Sequence, residues 1–116
     1  MTKITRIESS NRMSQGVAYG DLIWLAGQVG NAGESITAQT TTILENIDRL
    51  LAELGSDKSH MLSAQIWLAD MKDFTDMNAV WDGWVDQANP PARATGEAKL
   101  ATSEYGVEII VTAVKA

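Results

Sequence analysis

Arg93 is the residue whose setting points most directly to chemistry. It follows the run Asn89-Pro90-Pro91-Ala92, in which each proline holds its own φ near about −65° and biases the preceding residue toward extended geometry. The arginine therefore leaves a rigid support with little freedom to move. A guanidinium held in this way is suited to gripping a carboxylate in a bidentate fork. The alternative interpretation is an ordinary surface arginine at the start of a strand.

Glu108 is the second residue that needs an explanation. It lies near the start of residues 107–114, an apolar run with strong β propensity. An ionised carboxylate is costly in such a run unless it is paired or close to water. Glu108 could reach solvent at the strand end, form an ion pair with Lys99 or Arg93, or activate a water beside a bound substrate.

Two other groups of residues favour structural roles. Ser59 and His60 are adjacent, and neighbouring residues on a strand or turn rarely face each other, so we interpret His60 as a surface histidine. Trp81 and Trp84 could stack on a ligand, but their helical spacing favours the hydrophobic core.

Composition excludes several classes of protein. The 116 residues predict one domain spanning 1–116, and 45% hydrophobic residues with 21% charged residues are typical of a folded globular protein. The net charge of −6, without a cluster of Lys and Arg, makes nucleic acid an unlikely partner. The N-terminal residues contain no apolar signal region and no run long enough to cross a bilayer, which predicts a cytoplasmic protein without a membrane partner.

The sequence predicts neither a metal site nor a cofactor. No cysteine is present and His60 is the single histidine, so disulfides, thiolate catalysis and the common zinc sites are excluded. Asp70, Asp73 and Asp76 lack the glycine and terminal glutamate of a calcium loop, and they fit better as charges at the start of a helix. Any chemistry must therefore use arginine, carboxylates, hydroxyls, amides and the backbone.

Hydrophobic periodicity predicts the element order βββαβαββ. The predicted strands are residues 3–8, 17–19, 22–28, 61–68, 92–98 and 107–114, and the first helix is residues 37–54, ended by Gly55. Gly20-Asp21 suits the turn between the second and third strands, and the near-continuous apolar run in the third predicts burial on both faces. A second helix begins after Asp73 and presents Phe74, Met77, Trp81, Trp84 and Val85 to the core.

This order favours an α+β domain with the helices on one face of the sheet. Along the strand that begins near Arg93, period two places Arg93, Thr95, Glu97 and Lys99 on one side. The other face of the sheet would need to be buried by oligomerisation, which suggests a closed symmetric ring.

The motifs, taken in order, resemble the RidA/YjgF family of reactive-intermediate deaminases over nearly the whole chain. They are Gln15-Gly16, Leu25-Ala26-Gly27-Gln28, Asn46 in the first helix, Asp73-Phe74 with Met77-Asn78, Pro91-Ala92-Arg93 and Val107-Glu108-Ile109. Residues 68–84 are similar to the YoaB-like branch. The resemblance implies a chorismate-mutase-like (bacillus-type) α+β fold, a mixed sheet of about six strands packed on one face by two helices.

The resemblance also implies a homotrimer with three clefts between subunits. Family substrates are 2-imino or enamine acids released by pyridoxal-phosphate enzymes, and they are hydrolysed to 2-keto acids and ammonia without a cofactor. By position, Arg93 matches the carboxylate-binding arginine, Glu108 matches the carboxylate that orients the attacking water, and Asn78 matches a helix asparagine near the site. The alternative is a non-catalytic trimer that binds or senses 2-keto acids through the same arginine.

The chain departs from the RidA pattern at three positions around the implied substrate pocket. Met13 replaces a tyrosine, Ala26 replaces a serine before Gly27, and Thr95 replaces a cysteine two residues past Arg93. Met13 and Ala26 would make the pocket more apolar and larger, which favours a different or bulkier imino acid or a weak activity. Thr95 keeps a hydroxyl close to Arg93, and with Asn78, Gly27 and Arg93 these residues complete the implied binding set.

Overall fold

The computed structural model describes residues 3–116, which form one mixed sheet covered on one face by two helices. In chain order the elements are β1 (Ile4–Ser9), β2 (Ser14–Tyr19), β3 (Leu22–Leu25), β4 (Gln28–Val29), α1 (Ile36–Glu53), β5 (Met61–Leu68), α2 (Phe74–Trp84), β6 (Ala92–Glu97) and β7 (Val107–Val114). The strand order is β1-β2-β3-β7-β5-β6, and β4 also pairs with β7. The α+β class and the two helices are confirmed.

The first helix, α1, forms because its apolar residues fall on one stripe. The side chains buried by this stripe include Ile43, Leu44, Ile47, Leu50 and Leu51. Ser35 caps the N-terminus by accepting a hydrogen bond from Ala38 N at 3.1 Å. Gly55 follows the last turn with φ of +77°, a conformation that favours glycine, so it ends the helix as predicted.

The second helix, α2, carries the chain from β5 to the parallel strand β6. Met77 and Trp81 point into the core, with 0% and 5% of their surface exposed. The helix begins directly after Asp73, as predicted, but the Asp73 side chain makes no capping hydrogen bond. Asp70 supplies the local carboxylate instead, because it accepts from Lys72 N at 2.9 Å in the short 3-10 helix that precedes α2.

The prediction of one continuous third strand was wrong. From Trp24 to Gln28 the chain advances four residues while its partner β7 advances three, from Thr112 to Ile109, so a bulge separates β3 from β4. The bulge contains Ala26 and Gly27.

The expectation that β3 is buried on both faces was also wrong for the chain as described. Ile23 and Leu25 are buried, but Leu22 and Trp24 are 41% and 43% exposed. The apolar run reflects an alternation between a core face and an exposed apolar face.

The two faces of the sheet therefore differ. In β7, Val107, Ile109, Val111 and Ala113 lie under the helices, and the alternating residues from Glu108 to Val114 face the uncovered side. We call this uncovered side the open face. Within residues 3–116, neither helix is long and apolar enough to cross a membrane.

The loop that leads into β7 is tied to α1 by Gln39. The Nε2 of this buried side chain donates to Glu104 O at 3.1 Å, and its Oε1 accepts from Gly106 N at 3.0 Å. Gly30 packs closely on the same turn of α1, because a Cβ added there would lie 2.7 Å from the backbone of Gln39. These contacts set the position at which β7, and hence Glu108, begins.

Candidate functional site

Arg93 and Thr95 lie on the helix-covered side of β6. In the parallel register Arg93 pairs with Ala64 and Thr95 pairs with Ile66, and both partners are buried under the helices. The predicted shared face of Arg93 and Thr95 is confirmed. The strand ends at Glu97, so Lys99 falls in the following loop.

The Arg93 guanidinium is held by an aromatic ring. Its Cζ lies 5.4 Å from the ring centroid of Trp81 on α2, within the range of a cation–π interaction. Within residues 3–116, Arg93 forms no side-chain hydrogen bond and no salt bridge. Its N–H donors are therefore unpaired within residues 3–116.

Two buried polar atoms accompany Arg93 on this side of the sheet. Thr95 Oγ1 on β6 and Asn78 Oδ1 on α2 are shielded from solvent and find no hydrogen-bond partner in the described part of the chain. Asn78 lies one helical turn before Trp81, the residue whose ring contacts Arg93. Buried polar atoms are nearly always paired in folded proteins, so these two atoms suit a partner that the single chain does not supply.

Glu108 belongs to a different part of the molecule. It pairs with Trp67 on β5 and Val29 on β4, and its side chain faces the open side of the sheet. Gly27, in the bulge, lies directly against it: a Cβ added at Gly27 would come within 2.8 Å of the Glu108 carboxyl carbon. Only a residue without a side chain allows the bulge to approach the carboxylate this closely.

A hydrogen-bonded network shapes the bulge beside Glu108. Ala26 N donates to Gln15 O at 2.9 Å, and the buried amide of Gln28 donates both to Ala26 O at 3.0 Å and to Gln15 Oε1 at 2.9 Å. Met13 lies in the turn between β1 and β2, where its backbone bonds with Ser10, and its side chain is 43% exposed. The structure thus brings Ala26 and Gly27 to Glu108 and leaves Met13 on the surface.

The predicted site residues therefore form two groups that one chain does not bring together. Arg93, Thr95 and Asn78 are on the helix side, while Glu108, Gly27 and Ala26 are around the bulge. Because β5 lies between β6 and β7, Arg93 and Glu108 stand two strands apart and point to opposite faces. Within residues 3–116, Glu108 forms no ion pair with Arg93 or Lys99.

A concave cavity of about 420 Å³ lies on the open face beside the first half of β6. Arg93 and Ala94 line it together with Ser63 and Thr112 from the neighbouring strands. Glu108, Gly27 and Asn78 do not line this cavity. Thr95 does not line the cavity either, so Arg93 is the one predicted site residue that borders it and the cavity brings neither group together.

The Asp57, Ser59 and His60 side chains form a cluster that resembles a catalytic set but is built differently. Asp57 Oδ1 accepts from Ser59 N at 2.9 Å and lies 2.5 Å from Ser59 Oγ and 2.8 Å from His60 Nδ1. These contacts, the Ser59 hydroxyl first, lower the Asp57 pKa from its usual 3.8 to about 2.

In a catalytic triad the imidazole would use one nitrogen for the carboxylate and the other for the hydroxyl. Here the same atom, His60 Nδ1, serves both, at 2.8 Å from Asp57 Oδ1 and 3.1 Å from Ser59 Oγ. The cluster caps the short 3-10 helix Lys58–His60. His60 lies at the surface as predicted, with 38% of its side chain exposed, but the expectation that it would not face Ser59 was wrong, because the two side chains are in contact.

Trp81 is the site residue that sequence reasoning missed. Its burial in the core is confirmed, but its ring also contacts Arg93. The sequence feature that could have indicated this contact is the spacing of three residues between Asn78 and Trp81, which places both side chains on neighbouring turns of one helix face.

In the described residues, no group of three or more histidine, aspartate or glutamate side chains is arranged to hold a metal ion.

Comparison with known proteins identifies the family. Residues 3–115 match the model of the family described as Endoribonuclease L-PSP. A RutC family protein of Haemophilus influenzae is 47% identical over 112 residues, which cover 95% of this chain and 97% of the relative. The RutC family protein YoaB of Escherichia coli K12 is 38% identical, with 95% and 96% covered. The chain therefore belongs to the RidA/YjgF family, also named RutC, and it is YoaB-like.

The solved structures agree with this assignment. NMB1025 of Neisseria meningitidis, a member of the YjgF protein family, superposes with a TM-score of 0.96 at 48% identity, covering 98% of this chain and 96% of its own. The predicted chorismate-mutase-like α+β fold is thereby confirmed.

Proposed function

We propose that the protein is a cofactor-free deaminase that hydrolyses 2-imino and enamine acids to 2-keto acids and ammonia. Membership of the RidA/YjgF family supports a function at the family level. The observation that carries the proposal for this chain is the Arg93 guanidinium, which is held against Trp81 and has no hydrogen-bond or salt-bridge partner within residues 3–116. Such a group is suited to the carboxylate that every 2-imino acid carries.

The proposed reaction needs only a positioned water and a proton acceptor. Arg93 holds the substrate carboxylate, and the adjacent C=N carbon is already electrophilic. Glu108 takes a proton from the attacking water, and general-base help of this kind contributes about 10²- to 10⁴-fold in rate. Glu108 passes this proton to the nitrogen, which gives the carbinolamine. The hydroxyl proton of the carbinolamine is then carried by Glu108 to the nitrogen, the C–N bond breaks as the C=O bond forms, and a 2-keto acid and ammonia leave with Glu108 ionised again. The overall balance is one imino acid and one water consumed.

The separation of Arg93 from Glu108 supports a site shared between copies of the chain. Because the two side chains point to opposite faces of one sheet, a neighbouring copy must supply one of them. The open face also presents half-exposed apolar side chains, at 51% for Tyr19, 41% for Leu22 and 43% for Trp24, a pattern typical of surfaces that a partner covers. We therefore propose a homotrimer with one site in each of its three clefts.

The altered residues favour a substrate with a larger apolar side chain than the smallest imino acids. Met13 and Ala26 present no side-chain hydrogen-bond donor where the RidA pattern has tyrosine and serine. Thr95, next to Arg93, retains a hydroxyl whose oxygen has no partner among residues 3–116. We expect longer aliphatic 2-imino acids to be better substrates than 2-iminopropionate.

The second candidate is a trimer that binds 2-keto acids without turnover. The separation of the two groups favours it, because Arg93 can hold a carboxylate with no contribution from Glu108. RNA cleavage, which the description of the matching family suggests, is less well supported because the chain carries a net charge of −6. If the protein does not bind RNA, or binds RNA with an affinity that does not fall as salt increases, RNA cleavage is excluded as a function.

A complementation experiment tests the activity and the shared site together. The variants Arg93→Ala and Glu108→Gln are each assayed with imino acid generated by an amino-acid oxidase, and release of the 2-keto acid is followed. The two inactive variants are then unfolded, mixed in equal amounts and refolded. If each site takes Arg93 from one copy and Glu108 from the next, about a quarter of the sites in random mixtures are intact.

Three results can be told apart. Recovery of about a quarter of the wild-type rate supports a shared catalytic site. No recovery, with active wild type, would mean that both residues serve from one copy. Wild type that binds 2-keto acids in an Arg93-dependent manner, without accelerating imine hydrolysis, would favour the non-catalytic trimer.

A further inference from the structure

We infer that Trp81 is a positioning residue for the carboxylate-binding arginine. In this role its indole ring fixes the orientation in which Arg93 meets the substrate carboxylate. The inference deepens the proposed function and rests on it, because it assigns to Trp81 a part in substrate binding that sequence reasoning gave to the core alone.

The Trp81 ring is itself held in place. Only 5% of the residue is exposed, and the ring packs against Trp84 with 5.4 Å between centroids at an angle of 55°. The Trp84 Nε1 donates to Asp48 Oδ2 at 2.9 Å, which anchors the second ring to α1. The position of Trp81 is thus set by the packing of α1 on α2, and Arg93 meets a rigid surface.

An aromatic ring suits this purpose better than a carboxylate would. A carboxylate beside Arg93 would occupy some of its N–H donors and offset its charge, so the substrate would have to displace it. The ring attracts the guanidinium through its face and uses none of the five N–H donors. The arginine therefore stays fully available while its side chain is restrained.

The restraint matters because β6 is an edge strand and Arg93 is exposed. A free arginine side chain occupies many rotamers, and ordering it on ligand binding costs conformational entropy. Contact with Trp81 limits those rotamers before the ligand arrives. Loss of the ring should therefore weaken carboxylate binding and leave the proton transfer at Glu108 largely unchanged.

The kinetic test compares Trp81→Leu with Trp81→Phe. We expect Trp81→Leu to raise KM for the imino acid, and Kd for the matching 2-keto acid, by about 3- to 30-fold, with kcat changed less than about threefold. Trp81→Phe keeps a ring and should recover most of the affinity. Val80→Ala, the neighbouring residue on α2, is the matched control for a general disturbance of the helix, and its KM should remain at the wild-type value.

A spectroscopic test reads the contact without any ligand. In wild-type protein the Arg93 Nε–H resonance should be displaced by the indole ring current, and its assignment follows from its absence in Arg93→Lys. Trp81→Leu should move this resonance toward the position of a free arginine, and Trp81→Phe should leave an intermediate displacement. This measurement needs only folded protein, so Trp81→Phe serves if Trp81→Leu does not fold.

The outcomes separate the two levels of the proposal. If wild type is active and Trp81→Leu keeps its KM within about twofold, or if the Arg93 resonance does not move, the role of Trp81 is overturned and the deaminase proposal stands. If wild type neither hydrolyses imino acids nor binds 2-keto acids, the proposed function fails, and the positioning role fails with it.

Discussion

The two faces of the sheet carry different parts of the proposed chemistry. On the helix side, Arg93 stands at the edge of a closed core, and its neighbours are an indole ring and two buried polar atoms without partners in residues 3–116. On the open side, Glu108 lies against a glycine in a bulge and is paired in the sheet with the half-buried Val29 and Trp67. The first environment suits recognition of an anion, and the second suits a carboxylate that works in a cleft closed by another surface.

From this difference we expect carboxylate binding and proton transfer to be separable in this protein. The Arg93 group depends on α2 and β6, whereas the Glu108 group depends on β4, β7 and the loop that Gln39 ties to α1. A change in one group should leave the other intact, because no described side chain belongs to both. Variants can therefore be sorted by which measured quantity they alter.

The largest expected effects come from removing the two charged groups. Arg93→Ala should weaken 2-keto acid binding by about 10²-fold or more, because two charge-assisted hydrogen bonds of about 1.5–3 kcal/mol each are lost. Glu108→Gln should lower kcat by about 10²- to 10⁴-fold and change the Kd of the 2-keto acid by less than about threefold. Calorimetry and turnover assays on both variants measure the pair. An equal loss of 2-keto acid binding in the two variants would contradict the assignment of binding to Arg93 and proton transfer to Glu108.

A smaller effect is expected from Gly27→Ala. The added Cβ would lie within 2.8 Å of the Glu108 carboxyl carbon, so the carboxylate must move. We expect kcat to fall by about 10- to 100-fold while the 2-keto acid Kd, set by Arg93, is unchanged. Gly83→Ala is the matched control, since a Cβ there meets nothing within 4 Å, and it should stabilise α2 by about 0.5–1 kcal/mol. A Gly27→Ala enzyme with wild-type kcat would show that Glu108 needs no fixed position.

The smallest effect concerns the cluster of Asp57, Ser59 and His60, which contacts neither Arg93 nor Glu108. The lowered pKa of Asp57, about 2 against the usual 3.8, means that the ionised carboxylate stabilises the fold at pH values above 3.8. This contribution is lost as pH falls through about 2. Asp57→Asn should therefore lower the free energy of unfolding at pH 7, with a difference from wild type that shrinks progressively below pH 3.8.

Denaturant titrations at several pH values measure that difference, and an assay at pH 7 supplies the control. Asp57→Asn should keep the wild-type kcat/KM, because the cluster caps a 3-10 helix and contacts neither Arg93 nor Glu108. A large loss of activity in a folded Asp57→Asn protein would instead give the Asp57, Ser59 and His60 cluster a catalytic part.

Local patterns in the sequence were enough to place the first helix. The apolar stripe of α1 and Gly55 act within a few residues of one another, so the predicted helix 37–54 lies within one residue of the observed Ile36–Glu53 at each end. The chemical character of Arg93 and Glu108 was also apparent, because a proline-braced arginine and a carboxylate in an apolar strand are unusual in any fold. These features depend on residue type and spacing alone.

Only the tertiary structure decided how those residues relate to one another. Period two shows which residues share a face of one strand, but the covered face depends on strand pairing and on the crossover through α2. The bulge at Ala26 and Gly27 arises from a one-residue shift between β3 and β4 against β7, which no local pattern in that apolar run reveals. The contact between Trp81 and Arg93 likewise joins residues from two elements. For these reasons the sequence determined what the charged groups are, and the pairing of distant strands and helices decided where they point.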